Sequence, residues 1–374
     1  DCLLSRGLGD VYKRQISEKE LEGQTNSYIK VKSSLQALKD MALLYRNNLD
    51  IKVVGITGSV GKTSTKETIS YVLNKKYKVL KTEGNFNNEI GLPLTVFRLR
   101  DDDEVAVLEM GISDFGEMDR LSKIAQPDIS VITNIGLCHL ENLKTRDGIL
   151  KAKTEIFNNM KPDGIAILNG DDDKLITVDE VNGKKPERFG INYKDGVYAK
   201  DIENLGLSGT KFVISGLNCV DGCKDFEVTV PVPGHHMIYN ALAAACVGAA
   251  LELTSAQIAD GIADLKTISG RNNIIKTSKY TLIDDCYNAN PVSMKASVDV
   301  LDMAIGRKVC ILGNMYELGE NEKNLHYDVG QYIGTKNIDV LITIGDLARH
   351  IAMGTDDYME THFGSYDCEI HSFD

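Results

Sequence analysis

At 374 residues the chain has room for about two domains, and 43% hydrophobic with 26% charged residues is an ordinary globular balance. A formal net charge of −12 argues against nucleic acid or an anionic membrane as a main partner, though not against a nucleotide, whose phosphates a local loop can hold on an acidic protein. Eight cysteines are scattered, with only Cys219 and Cys223 close together, which fits free thiols in a reducing cytosol rather than zinc or a disulfide framework.

In chain order, residues 1–15 (DCLLSRGLGDVYKRQ) lack the apolar core and cleavage site of a signal peptide. They resemble translated sequencing-adapter read-through and are expected to be foreign to the fold. A helix over 33–46, with Leu35, Leu38, Met41, Leu44 and Tyr45 on one side, is the first native element expected. The apolar run 51–54 then enters Gly55-Ile56-Thr57-Gly58-Ser59-Val60-Gly61-Lys62-Thr63-Ser64-Thr65-Lys66, and a helix-compatible segment follows over 67–73. Strand, glycine turn and helix together wrap a nucleotide phosphate. Gly58 and Gly61 let backbone N–H groups turn inward, and the helix N-terminus adds partial positive charge. Lys62 would reach the terminal phosphates, and the Thr63 hydroxyl would hold Mg²⁺. Ile56 stands where the usual phosphate loop has glycine, so the pattern is T-G-x-x-G-K-T. The alternative is a glycine-rich turn with a surface lysine.

A strand over 77–81 leads to Gly84-Asn85-Phe86-Asn87-Asn88, and Pro93 can open the next helix. Carboxamides so dense beside a phosphate site suggest ligand contact by Asn85, Asn87 and Asn88; a plain asparagine-rich turn is the other reading. Residues 105–108 form an unbroken apolar strand ending in Glu109. That carboxylate is placed either to meet the Mg²⁺ of a bound nucleotide or to face solvent. Next come a strand over 129–133, a helix from 147 to about 160 carrying Lys151 and Lys153 on different faces, and a strand over 165–168. The alternation implies an α/β fold with a mostly parallel sheet and helices on both sides. Residues 188–230 read as an antiparallel extension. The helix over 240–251 is buried and too short to span a bilayer, and Ser255 caps a further helix through 262. The neighbouring His235 and His236 point apart and suit structural or hydrogen-bonding roles better than metal ligation. From about residue 272 a smaller α/β unit follows, with strands at 280–283, 308–312 and 340–344 and a helix over 325–332. In it Asn290 caps a helix that Pro291 begins, and there is no phosphate loop.

Seven segments in order resemble the Mur ligase family: Thr57 to Thr63, Gly84 to Asn88, Glu109-Met110-Gly111, Thr133 to Gly136 with His139-Leu140-Glu141, Ala152-Lys153-Thr154-Glu155-Ile156, Asp284 to Pro291, and Leu312 to Gly319. The resemblance runs from about Leu35 to the C-terminus. It implies a remnant of a UDP-substrate domain and linker over 16–50, a central P-loop ATPase domain over 51–271, and an incomplete, smaller Rossmann-like domain over 272–374. By resemblance Gly58, Ser59, Val60, Gly61, Lys62, Thr63 and Ser64 cradle the ATP phosphates, with Thr63 and Glu109 on one Mg²⁺. His139 and Lys153 serve a second Mg²⁺, Lys153 as its carbamate; only the family's A-K-x-x-I-F spacing selects it over Lys151. Asn240 lies near the adenine, Arg271 near the phosphates and Asp285 at the ribose, with residues 269–271 as a hinge. Asn85, Asn87, Asn88, Asn288 and Asn290 are the candidate substrate contacts.

The implied branch of the family joins D-alanyl-D-alanine to UDP-N-acetylmuramoyl-tripeptide through an acyl phosphate, in peptidoglycan precursor synthesis. The expected protein is a cytoplasmic monomer, without nucleic acid or a membrane span. With the flanking domains incomplete, the expectation is ATP binding with poor or absent ligation. Other readings are a tripeptide-forming ligase of the same family, a folylpolyglutamate synthase, or a P-loop switch. Against the last, no N-K-x-D-like base-reading motif stands at the expected place.

Overall fold

A computed structural model of the chain describes residues 15–21, 28–362 and 367–374. Of the segment expected to be foreign, only Gln15 falls among them, as the first residue of β1 (Gln15–Ser17), which pairs in parallel with β2 (Tyr28–Lys30). Helix α1 (Ser34–Asn47) follows, its N-terminus capped by the Ser33 side chain, which accepts the Gln36 N–H. That apolar side is only partly buried: Leu38 and Tyr45 are half-buried, and Tyr45 packs on the core. Leu35, Met41 and Leu44 are exposed, while Lys39, Ala42 and Arg46 are buried. The reason is polar anchoring. Arg46 donates to the carbonyls of Leu49 (3.1 Å), Ile51 (3.3 Å) and Ala125 (3.3 Å), and Lys39 pairs with Glu89. Arg46→Ala would leave three buried carbonyls without that donor. A loss of about 2–4 kcal/mol in unfolding free energy is expected by urea denaturation.

The central unit alternates β3 (Lys52–Thr57), α2 (Lys62–Leu73), β4 (Val79–Lys81), α3 (Gly91–Val96), β5 (Val105–Glu109), α4 (Glu117–Ala125) and β6 (Ile129–Ile132). It continues with α5 (Leu140–Leu143), α6 (Arg146–Thr154), β7 (Ile165–Asn169), β8 (Glu187–Gly190), β9 (Val197–Asn204), β10 (Thr210–Ser215), β11 (Asp225–Val230), α7 (His236–Ala250) and α8 (Ser255–Ala263). The strands form one sheet ordered β11-β10-β9-β8-β7-β6-β3-β5-β4. Pairing is parallel from β4 to β9 and antiparallel across β9, β10 and β11. The antiparallel extension therefore begins at β10; β8, which the sequence placed within it, still pairs in parallel.

Two apolar cores fill the two faces of this sheet. Val54, Ile56, Val107 and Val131 pack with Ile69, Val72 and the alanine-rich face of α7 on one side. Val53, Ala106, Leu108 and Ile132 pack with Leu121, Ile124 and Ile149 on the other. Burial on both faces is why β3, β5 and β6 read as apolar runs rather than alternating ones. The long helix expected over 147–160 ends as α6 at Thr154 and gives way to a 3-10 turn, Glu155–Phe157. There the Glu155 carboxylate turns away to accept the N–H groups of Gly116 and Asp119 at the start of α4. Thr254, not Ser255, caps α8, in a reciprocal box with Gln257.

In the second unit β12 (Asn273–Lys276) and β13 (Thr281–Asp284) form an antiparallel hairpin. The hairpin stands apart from the three-stranded parallel sheet of β14 (Val309–Leu312), β15 (Val340–Ile344) and β16 (Glu369–Phe373). Helices α9 (Pro291–Asp302), α10 (Glu322–Gly334) and α11 (Arg349–Thr361) pack with that sheet around Val298, Val329, Leu341 and Ile351. Helix α11 and strand β16 were not read from the sequence. Among the described residues no helix is long and apolar enough to cross a membrane.

Candidate functional site

The carboxyl ends of β3, β5 and β6 converge where a doubly wound sheet offers its ligand crevice. From β3 the chain turns through Gly58 (φ +153°) and Gly61 (φ +83°) into α2. A Cβ on Gly58 would lie 1.9 Å from the Thr133 hydroxyl, so both backbone angle and space demand glycine. The loop is clamped from β6. Thr133 Oγ1 donates to the Val60 carbonyl (2.7 Å), and the Asn134 carboxamide brackets Val60, accepting its N–H (3.0 Å) and donating to its carbonyl (2.9 Å). Sequence reading passed over this clamp as part of a motif; the signal was a Thr-Asn pair directly after a buried strand. Gly58→Ala is expected to weaken ATP binding by about 50-fold and stability by about 2–3 kcal/mol, readable by titration with a fluorescent ATP analogue and by denaturation.

Lys62 folds back onto the carbonyls of Gly58 (2.8 Å) and Ser59 (3.4 Å). Burial lowers its pKa, and the Glu109 carboxylate opposes that shift. Thr63 Oγ1 lies 3.3 Å from Glu109 Oε1, which also accepts from Asn87 Nδ2 at 2.9 Å. Glu109 is 2% exposed, so it does not face solvent, and its Oε2 has no hydrogen-bond partner.

Beyond the loop Lys153 is 1% exposed, and burial together with Lys62 brings its pKa down to about 7. Lys151 is exposed and lies over the Phe115 ring. The two lysines left open by residue reading are thus separated by packing. His139, in a left-handed conformation (φ +49°), places Nδ1 2.9 Å from Glu317 Oε2 of the second unit. Burial lowers its pKa, Glu317 raises it, and Lys153 and Lys62 lower it further. These four groups share one electrostatic neighbourhood. Glu317 was quoted in a motif without a role, and only the packing of the two units shows its reach.

A cavity of about 330 Å³ opens beside the loop. Val60, Gly61, Ser64, Asn240, Arg271 and Asp285 line it, with Phe189, Val232, Met237 and Leu265 as apolar walls. Gly58, Ser59, Lys62 and Thr63 lie outside its lining. Asn240 is buried, accepting from Thr65 Oγ1 at 2.9 Å. The Arg271 guanidinium stacks 4.4 Å from the Tyr287 ring centroid. Asp285 accepts the Asn272 N–H (3.1 Å) and the Ser297 hydroxyl. His236 lines the cavity and its pKa is lowered by burial, while His235 is exposed with its ring edge-on to Tyr239. The linker expected to act as a hinge is tied to the second unit: the Gly270 N–H donates to Asp284 Oδ2 (2.8 Å) and its carbonyl accepts from Tyr287 N (3.2 Å).

The five candidate asparagines separate. Asn87 reaches Glu109, whereas Asn88 accepts the Ile90 and Gly91 N–H groups at the start of α3. Asn290 caps α9 through the N–H groups of Val292 and Ser293. Asn85 is exposed, and Asn288 is exposed with Oδ1 accepting the Ala289 N–H.

Among the described residues no three His, Cys, Asp or Glu side chains group into a cation cage. Mg²⁺ takes one or two protein oxygens and completes its shell with phosphates and water. Thr63 and the buried, half-unpartnered Glu109 carboxylate offer that donor set. Lys153, with its pKa brought down to about 7, has the neutral, nucleophilic amine needed to take up CO₂ and become an oxygen donor available at neutral pH.

The Mur ligase middle domain matches residues 56–248, and the Mur ligase glutamate ligase domain matches 270–365. The chain belongs to the Mur ligase family. It is 40% identical over 334 residues to the UDP-N-acetylmuramoyl-tripeptide–D-alanyl-D-alanine ligase of Bacillus subtilis, covering 88% of this chain and 71% of the relative. It is 35% identical to the ligase of the same name from Escherichia coli, over 86% and 71%. Among solved structures, MurF from Acinetobacter baumannii superposes with a TM-score of 0.84 at 30% identity, covering 96% of this Mur ligase and 81% of that chain. MurF from Thermotoga maritima in complex with ADP gives 0.80 at 30% identity, over 96% and 84%. A folylpolyglutamate synthase at 14% identity shares the fold alone.

Proposed function

We propose that this Mur ligase uses ATP to join D-alanyl-D-alanine to UDP-N-acetylmuramoyl-tripeptide, a step of peptidoglycan precursor synthesis. The observation that carries the chemistry is the neighbourhood of Lys62, Lys153 and His139 beside a glycine loop faced by a buried carboxylate. The relatives' names supply the substrates.

In this reading the central unit, 51–271, binds ATP, and the second, 272–374, closes over it. Adenine occupies the cavity by Asn240, with Asp285 at the ribose and Arg271 at the phosphates. The loop from Gly58 to Ser64 presents N–H groups to the phosphates. A carboxylate oxygen of the tripeptide attacks the γ-phosphorus in line and ADP leaves. The dipeptide amine then attacks the acyl carbon, phosphate leaves, and the amine gives up its proton. The demand is charge neutralisation between two anions, which Lys62 meets directly as it swings from the Gly58 carbonyl. Two Mg²⁺ ions would add Lewis-acid neutralisation when bound, one held by Thr63 and Glu109, the other by His139 and the Lys153 carbamate. Asn87 orients Glu109 for this role.

The test is incubation with ATP, Mg²⁺, the tripeptide nucleotide and candidate amines, with products read by mass spectrometry. The expected result is a pentapeptide product with ADP formed in equal amount, which would overturn the sequence-based expectation of poor or absent ligation. Joining of single amino acids in preference to the dipeptide, or ADP release needing neither substrate, would overturn the reading.

A further inference from the structure

Lys66 lies on the inner face of α2, 2% exposed, one turn past Lys62. Its ammonium donates to the Thr82 carbonyl at 2.7 Å and lies 3.2 Å from Glu67 Oε1. Its third neighbour is Glu109 Oε2, 3.9 Å away, the carboxylate oxygen that is buried and lacks a hydrogen bond. Thr82 closes the ring: its hydroxyl accepts the Glu109 backbone N–H at 3.0 Å. Lys66 thus touches the residue that holds Glu109's backbone and is the cation within ion-pair distance of the Glu109 oxygen that lacks a hydrogen bond. A buried carboxylate oxygen without a donor or counter-charge is costly. Without the ammonium, Glu109 would gain by rotating Oε2 toward water and leaving Thr63 and Asn87.

We propose that Lys66 is a positioning residue for the Mg²⁺–nucleotide site, fixing the Glu109 carboxylate with Oε1 toward Thr63. The inference rests on the nucleotide-binding reading above. Lys66 also carries like charge toward a cation held by Glu109, so two effects oppose each other. Loss of its hold on Glu109 weakens Mg²⁺ binding, whereas loss of its repulsion tightens it. The single contact at 3.9 Å is made to the oxygen facing away from Thr63, and on that geometry the hold on Glu109 wins.

The experiment measures binding of a fluorescent ATP analogue with and without Mg²⁺ for the wild type, K66M, K66Q, E109Q and E109Q/K66M, with thermal melts of each. Metal-free affinity should stay within about twofold in K66M, while the Mg²⁺ concentration needed for half-maximal enhancement rises about tenfold. K66Q, which keeps a donor for the Thr82 carbonyl but no charge, should show the same rise. Because Lys66 acts through Glu109, E109Q/K66M should be no worse than E109Q, the non-additivity expected of coupled neighbours. The proposal is overturned if the K66M effect is equally large in the E109Q background, if Mg²⁺ dependence is unchanged or tighter, or if both Lys66 variants lose the fold. A wild type that binds no nucleotide would instead sink the nucleotide reading itself.

Discussion

Lys62→Met should lower ATP-dependent turnover by at least about 10³-fold while leaving the fold intact. Lys62 supplies the one mobile positive charge in the phosphate loop, and its contacts to the Gly58 and Ser59 carbonyls can be exchanged for phosphate oxygens. Removing one donor aimed at developing charge in a water-poor site costs on the order of 10²–10³ in rate, and the loss of a full charge beside a transferring phosphoryl group reaches about 10³–10⁵. Stability should barely move. Burial already disfavours the ammonium, and methionine fills a similar volume without that penalty. Rates of ADP release, read beside melting curves, check both halves. A variant with wild-type turnover would remove Lys62 from the chemistry, and one that fails to fold would make it structural.

Lys153→Met should do two opposite things: stabilise the protein and disable it. The amine is 1% exposed, with its pKa brought from 10.5 to about 7, mainly by burial. Between those values the unfolded chain holds a proton that the folded chain does not, so stability rises with pH across that window. The penalty is at full size below pH 7 and fades as pH approaches 10.5. Near pH 8, in CO₂-free buffer, the methionine variant should be more stable than wild type by about 3 kcal/mol; near pH 10 the gap should shrink below about 1 kcal/mol. Turnover should fall by about 10²-fold or more. Bicarbonate added at fixed pH should raise wild-type turnover and leave the variant unchanged, because only a neutral lysine captures CO₂. Equal stability of the two proteins across pH 7–10 would refute the buried-amine reading, and indifference of the wild type to bicarbonate would refute the carbamate.

The burial of Lys153 fits a wider pattern in this chain, in which charged groups are buried around the phosphate loop or where they fasten elements together. Glu109 and Lys66 meet beneath the phosphate loop, and Arg46 ties the carbonyls of Leu49 and Ile51, just past α1, to that of Ala125 at the end of α4. None of these burials could be read from hydrophobic periodicity, which assigns charged residues to solvent. That is why the buried anchors of the helix at 33–46, Lys39 and Arg46, were not legible although its position was. The same blindness hid the ring of Lys66, Thr82 and Glu109, whose members are far apart in sequence.

By itself the sequence determined the local chemistry. A turn that needs glycine at 58 and 61 between strand and helix, a carboxylate closing an apolar strand at 109, and Asn290-Pro291 opening a helix are each set by neighbours along the chain. The alternation of strands and helices likewise follows from local pattern. Only the tertiary structure buried Lys153 while leaving Lys151 exposed, brought Glu317 to His139, set Asn88 on the start of α3 while Asn87 faced Glu109, and moved the start of the antiparallel extension to β10. Desolvation and contact between distant segments fix those outcomes, and both arise only when the sheet and its helices close around a common core.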